Sequence, residues 1–251
     1  MNYRFLRPTF RGTGAFALTE LRVQLHEGIA IFTSMITQVV VLIFVAILAP
    51  GLFDIALLGA IIFSMFTLGQ RVLNEAAYIR VDHKLNELYL ASPLTSDSYF
   101  LGLALGVLAA YLAPVVILVG LAVYLIPFTP TLALELFLAA SAVWLFSSSM
   151  GYVVSTLFRD MRAIWSYASI LYNLFGVLPP VFYPIGLFPV ALRPLALVLP
   201  PSAAAGLLQN ALHPGVLASG EVALAAAALS LEAVGMFILA ILWARRTVQE
   251  R

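Results

Sequence analysis

The sequence has no cysteine, a single lysine and few charges of either sign. Without cysteine there is no disulfide, no thiolate zinc site and no cysteine nucleophile. Charged residues make up 10% of the 251 and apolar ones 63%, against roughly 25% and 45 to 50% in a soluble domain, so a water-soluble globular domain is excluded. The formal net charge of +1 offers nothing to a nucleic acid. The lysine, Lys84, stands in Asp82-His83-Lys84-Leu85 and not in GxxxxGK[ST], so the chain has no P-loop for ATP. HExxH, GxSxG and GxGxxG are also missing, and no pair of carboxylates embedded in apolar sequence suggests a proton relay.

What the chain does have is long apolar runs. Spans of membrane-crossing length are expected at 29–49, 53–73, 99–126, 132–158, 164–183 and 222–244. About 28 more polar residues precede the first, unlike a cleaved signal peptide, so that span is expected to be retained. Twelve of the thirteen basic residues fall before span one, between two and three, between four and five, or after six. The positive-inside bias then puts both termini in the cytoplasm. The even-numbered spans open on an acid (Asp54, Glu135, Glu221) and close on arginine (Arg71, Arg159, Arg245), which suits the helix dipole.

Three segments are not spans. Gly14 to Gly28 carries Leu18, Leu21 and Leu25 at helical spacing, as an interfacial helix or an ordinary cytosolic lead-in would. Residues 71–92 are the most charged stretch, with Tyr78, Val81, Leu85 and Leu88 on one stripe and Arg80, Asp82, Lys84 and Glu87 elsewhere. Such a helix is a docking surface for a cytoplasmic partner, or a solvated loop helix. Residues 184–220 are too apolar for a loop, and eight of the fourteen prolines lie between Pro179 and Pro214. They forbid one continuous helix and point to two short helices, near 187–199 and 202–212, in an external re-entrant hairpin. That hairpin either caps a pathway or simply covers the outer face.

Polar groups within the spans are mild: Ser34, Thr37, Gln38, Gln70, Tyr172 and Asn173. The exception is Glu232 in span six, functional by default unless it makes a hydrogen bond between helices. Small residues repeat at Gly102, Gly106 and Ala110 and at Ser147, Gly151 and Ser155, first as internal helix packing and second as a dimer seam.

In this order the features resemble the permease subunits of type-2 ABC transporters. The motifs that carry the resemblance are HKLNELYLASPLTSDSYFLG (His83 to Gly102), similar to the family's coupling segment, and PPVFYPIGLFPVALRPLALVLPPS (Pro179 to Ser202), similar to its proline-rich hairpin. The resemblance implies an all-α integral membrane fold: an interfacial N-terminal helix (within 1–28), six transmembrane helices, a cytoplasmic coupling helix (74–92) and a re-entrant hairpin (184–220). It implies an ATP-driven exporter subunit of the cell membrane with no ATPase site or cofactor of its own, ATP and Mg being bound by a partner ABC ATPase. A second permease, identical or not, would complete the pathway.

Carried over residue by residue, ATPase coupling falls on Tyr78, Arg80, Asp82, His83, Lys84 and Glu87, with Arg159, Asp160 and Arg162 as a second contact. The translocation pathway falls on Ser34, Gln38, Phe66, Tyr172, Asn173 and Phe175, and the hairpin turns on Pro180, Tyr183, Pro184 and Pro189. The hairpin ends in Leu199-Pro200-Pro201-Ser202 where polysaccharide exporters often have Asn-Pro, which favours a drug-like or lipid-like substrate. The alternatives are a polysaccharide-exporting permease, an ion-coupled secondary transporter and a membrane scaffold that transports nothing.

Overall fold

The computed structural model describes residues 10–26, 28–81, 94–158 and 160–249, and every regular element among them is a helix. In chain order these are α1 (Phe10–His26), α2 (Gly28–Thr33), α3 (Ile36–Leu48), α4 (Phe53–Val81), α5 (Ser96–Leu125), α6 (Pro130–Ser155), α7 (Met161–Val177), α8 (Arg193–Val198), α9 (Pro200–Leu212) and α10 (Ser219–Gln249). Single 3-10 turns occur at Pro50–Leu52, Ile185–Leu187 and Val190–Leu192. Several starts are set by side chains that accept from backbone N–H groups the helix leaves unpaired: Thr95 Oγ1 accepts from Ser98 N, Thr129 Oγ1 from Leu132 N and Asp160 Oδ1 from Arg162 N.

Five stretches are long and apolar enough to cross a membrane: Ile31–Leu48, Pro50–Val81, Ser96–Leu125, Pro130–Ser155 and Ser219–Arg246. The fifth run behaves differently from its expected 164–183. Its helix, α7, has 17 residues, about 26 Å at ~1.5 Å each, because Pro179 and Pro180 cannot continue it. Span one is interrupted as well: α2 and α3 are separated by a turn at Ser34 and Met35.

The centre of the molecule is α4. Of its apolar window 72% is buried, against 11% for the first span, and it packs against α3, α5, α6, α7 and α9. The contact between α4 and α6 is backbone to backbone at Gly69 and Gly151: a Cβ on Gly151 would run into the Gly69 carbonyl oxygen, and one on Gly69 into that of Ser147. The small-residue stripe of span four is therefore internal packing.

The stripe of span three receives α1 rather than another span. Phe16 lies over Gly102 and the Glu20 stem over Gly106, and the two helices run in the same direction. The face of α1 that is buried is thus Phe16, Glu20 and Gln24, while Leu18 and Leu25 of the expected leucine stripe are exposed. Glycine leaves a groove that admits a carboxylate stem, and the polar ends then pair with each other: Gln24 Nε2 donates to Glu20 Oε1 at 2.9 Å and Tyr111 Oη to Gln24 Oε1 at 3.4 Å.

The proline-rich segment forms a bent pair near the two expected positions, with a shorter first helix. Its first arm is the two 3-10 turns and the six-residue α8, since Pro184, Pro189 and Pro194 interrupt anything longer. A bend of 114° leads into the second arm, α9. That arm is no outer cover: Pro200 to Gly206, Leu208 and Gln209 are buried, and α9 packs against α4, α6 and α10.

Candidate functional site

One side of α4 carries Ser64, Thr67, Gln70, Arg71 and Asn74, spaced three or four residues apart so that they share a face. They form the floor of a cleft of about 370 Å3 whose walls come from α2 and α3 (Thr33, Ser34, Met35, Thr37, Gln38), α5 (Tyr111, Pro114, Val115) and α7 (Trp165, Ser169, Asn173). Gln38 fastens α3 to α4 across the cleft, its amide 3.2 Å from Ser64 Oγ. With its oxygen turned to accept from Ser64, its nitrogen donates to Ser34 O at 2.8 Å and Met35 O at 3.2 Å, the carbonyls at the break in span one. Pro114 places a second irregularity on the opposite wall, because it removes an N–H from the ladder of α5.

Arg71 is the one charged residue of the lining among the described residues. Its guanidinium lies 5.2 Å from the centre of the Tyr111 ring, and among the described residues it has no carboxylate partner. A cation–π contact contributes ~0.5–2 kcal/mol. Nearby, Asn74 Oδ1 is shielded from solvent and accepts no hydrogen bond. Asn173 is held in place by Nδ2, which donates to Ser169 O at 2.8 Å.

Of the residues expected along the pathway, Ser34, Gln38 and Asn173 line this cleft. Phe66 and Tyr172 do not; both are fully buried in the core, their rings 5.0 Å apart. The Tyr172 hydroxyl donates to Ser147 O at 3.0 Å beside the Gly69–Gly151 contact. Phe175 is exposed on α7, outside the lining. Arg71, Asn74, Thr67 and Tyr111 are additions, and the α4 spacing was the signal that pointed to most of them.

At the basic end, Tyr78 is 40% exposed on the last turns of α4. Arg80 is engaged within the molecule: its Nη2 donates to Phe158 O at 2.6 Å and to Ser155 O. These are carbonyls at the end of α6, where a helix lacks intrahelical donors. Arg80 therefore ties the end of span two to the end of span four, a different position from the outward contact expected of it. Asp160 caps α7 and Arg162 stands in its first turn. Asp82, His83, Lys84, Glu87 and Arg159 lie outside the described residues. Two residues beyond the third span's cap, Asp97 is buried and takes a forked pair from Arg245, at 2.6 and 3.0 Å to Oδ2 and 3.1 Å to Oδ1.

At the opposite end the hairpin is fastened by Gln209, which sequence reasoning did not single out. Its Oε1 accepts from Ile185 N at 2.8 Å, and its Nε2 donates to Tyr183 O at 3.1 Å and Pro180 O at 3.4 Å. Tyr183 donates its hydroxyl to Leu178 O at 2.8 Å. Pro184 O and Pro189 O accept from the ends of the two 3-10 turns. His213 Nε2 lies 3.0 Å from Asp54 Oδ2, joining the end of α9 to the start of α4. Glu232, on α10, is partly buried, with one carboxylate oxygen shielded and without a partner, as is Trp144 Nε1 on α6.

No curated protein matches the chain. The family model for "ABC-2 type transporter" matches residues 15–213, from within α1 to the end of α9 and so including every wall of the cleft and both helical arms of the re-entrant hairpin. With that match over most of its length, and with its several apolar helices, this multi-pass membrane chain belongs to the ABC-2 type transporter family as a permease.

Proposed function

We propose that this chain is the membrane half of an ATP-driven exporter. Two copies line the pathway, each bound to a separate ABC ATPase that holds ATP and Mg, in the cell membrane with both termini in the cytoplasm. The cleft between α3, α4, α5 and α7 carries this reading: it is a polar concavity on an otherwise apolar protein, next to a first span that the rest of the chain leaves largely uncovered. A second subunit against that side would close the two clefts into one passage. The substrate that suits such a lining is amphipathic, drug-like or lipid-like.

ATP-driven closure of the ATPases would push on residues 78–90, and the Arg80 tie would pass the movement to the end of α6. A ligand shifts a conformational equilibrium only through contacts that differ between the two states, and those contacts belong at this end.

The test is purification of the tagged chain from its native membrane in mild detergent, followed by an assay of ATP hydrolysis. A P-loop ATPase should come with it in equal amount. Charge reversal at Lys84 and Glu87 should uncouple hydrolysis from transport. Unchanged transport removes the docking role of residues 78–90, and a chain that emerges alone and without ATPase activity overturns the exporter.

A further inference from the structure

Among the described residues that line it, the cleft holds one positive charge and no negative one, a shielded acceptor without a donor, and a mouth flanked by exposed apolar side chains. These three features constrain what it binds. Arg71 excludes a cation and favours an anionic group. Asn74 Oδ1, buried and unpartnered, needs an O–H or N–H brought from outside. A volume of about 370 Å3 is at the small end for a ligand pocket, room for a polar head but not for a whole lipid. The tail must then lie outside, where Trp165 at the rim is 63% exposed and Ile36, Val40 and Ile43 of α3 are open.

Depth agrees. Arg71 follows Asp54 by seventeen residues on one helix, about 26 Å at ~1.5 Å per residue, most of the way across a ~30 Å hydrocarbon layer. That is the level of lipid head groups on the basic side.

Resting on the transporter reading above, we infer that the cleft is a head-group site for an anionic amphiphile: Arg71 pairs with its phosphate or carboxylate, Asn74 accepts from a neighbouring hydroxyl, and the chain runs out past Trp165. A 1-acylglycerol 3-phosphate has this chemistry.

The test is quenching of tryptophan fluorescence by 1-acylglycerol 3-phosphate with a brominated chain, titrated into full-length protein in phosphatidylcholine nanodiscs. Saturable quenching is expected, lost in Trp165→Phe. It should weaken at least tenfold in Arg71→Gln and stay near wild type in Arg71→Lys. On the wild-type protein alone, a brominated acylcholine should not compete, and inorganic phosphate should compete only at far higher concentration. Equal quenching by the cationic amphiphile, or an unchanged Arg71→Gln, overturns the site. Competition by inorganic phosphate at the concentration of the amphiphile reduces it to a bare anion site and overturns the amphiphile. Binding is read without any ATPase, so the two proposals fail separately. If an ATPase co-purifies but Arg71→Gln binds normally, the site fails alone; if the amphiphile binds and no ATPase is found, the exporter fails alone.

Discussion

Arg80 shows how a charged side chain can look outward in sequence and be committed inward in structure. Its donors reach Ser155 O and Phe158 O, and hydrogen bonds to a charged group are worth ~1.5–3 kcal/mol each. Arg80→Ala should therefore lower the thermal midpoint of the detergent-solubilised protein by an amount equivalent to about 2 kcal/mol, while Arg80→Lys recovers part of it. An ATPase-contacting arginine behaves in the opposite way: stability would hold and ATPase co-purification would fall. Asp97 gives a second case. Its burial against Arg245 predicts that Asp97→Ala is destabilising by about 2 kcal/mol, with Arg245→Ala similar, measured by the same thermal midpoint. The double substitution should cost less than the sum if the pair acts as a unit. Neither pairing was legible beforehand, since the partners are 148 and 75 or more residues apart in the chain and nothing in either local pattern names the other.

At the scale of helices, two glycine contacts that read alike in sequence are ranked by what faces them. A Cβ on Gly151 would strike the Gly69 backbone, which cannot move aside without separating α4 from α6. A Cβ on Gly106 would come 2.5 Å from the Glu20 Cβ and 2.9 Å from Ala17 O, and α1 packs mainly against α5, from which it can move away. Gly151→Ala should therefore lower the yield of monodisperse protein on size exclusion far more than Gly106→Ala, overpacking in a tight core costing ~1–3 kcal/mol or more. The hairpin offers a polar counterpart. Gln209→Leu removes three hydrogen bonds, frees the Ile185 N–H in a buried place, and should lower stability by about 3 kcal/mol, read as earlier thermal unfolding.

Most of these helices could be foreseen: the apolar runs and the proline-rich stretch are local signals. The exceptions are instructive. In α1 the apolar stripe faces outward and Glu20 and Gln24 face inward, because the partner surface is a glycine groove that only span three reveals. The end of α7 at Val177 is marked by Pro179 and Pro180 but masked in the apolar run, which Val181 and Phe182 continue after the helix has stopped. Burial of α9 was hidden because Pro200 to Gly206 has small residues that fit equally on an outer surface or between helices. In the cleft, Ser34, Gln38 and Asn173 are visible as polar interruptions, whereas Phe66 and Tyr172, which the resemblance alone assigns to the pathway, are buried in the core.

Considered whole, the molecule is lopsided. Its fourth helix is enclosed, while the first span exposes Ile36, Val39, Val40, Ile43, Phe44, Ile47 and Leu48 next to the cleft. If two copies meet there, as proposed, the natural absence of cysteine makes the test direct. Ile43→Cys in membranes should form an oxidised dimer, and Leu231→Cys, exposed on α10 away from the cleft, should not. Monomer in both, with ATPase still bound, would place the partner copy on another side.

The buried position of α9 also bears on the order in which the protein is made. Its walls are α4 and α6, which precede it in the chain, and α10, which follows. While the ribosome is still adding residues beyond Ser219, the run from Ala203 to Leu208 lacks the support of α10. Final seating of the hairpin is therefore expected only once the last helix is in place. A nascent chain released before that point should be recognised by membrane quality control, even though it contains all 199 residues of the family match. The C-terminal helix, which lies outside that match, thus acts as the closing stave of the assembly.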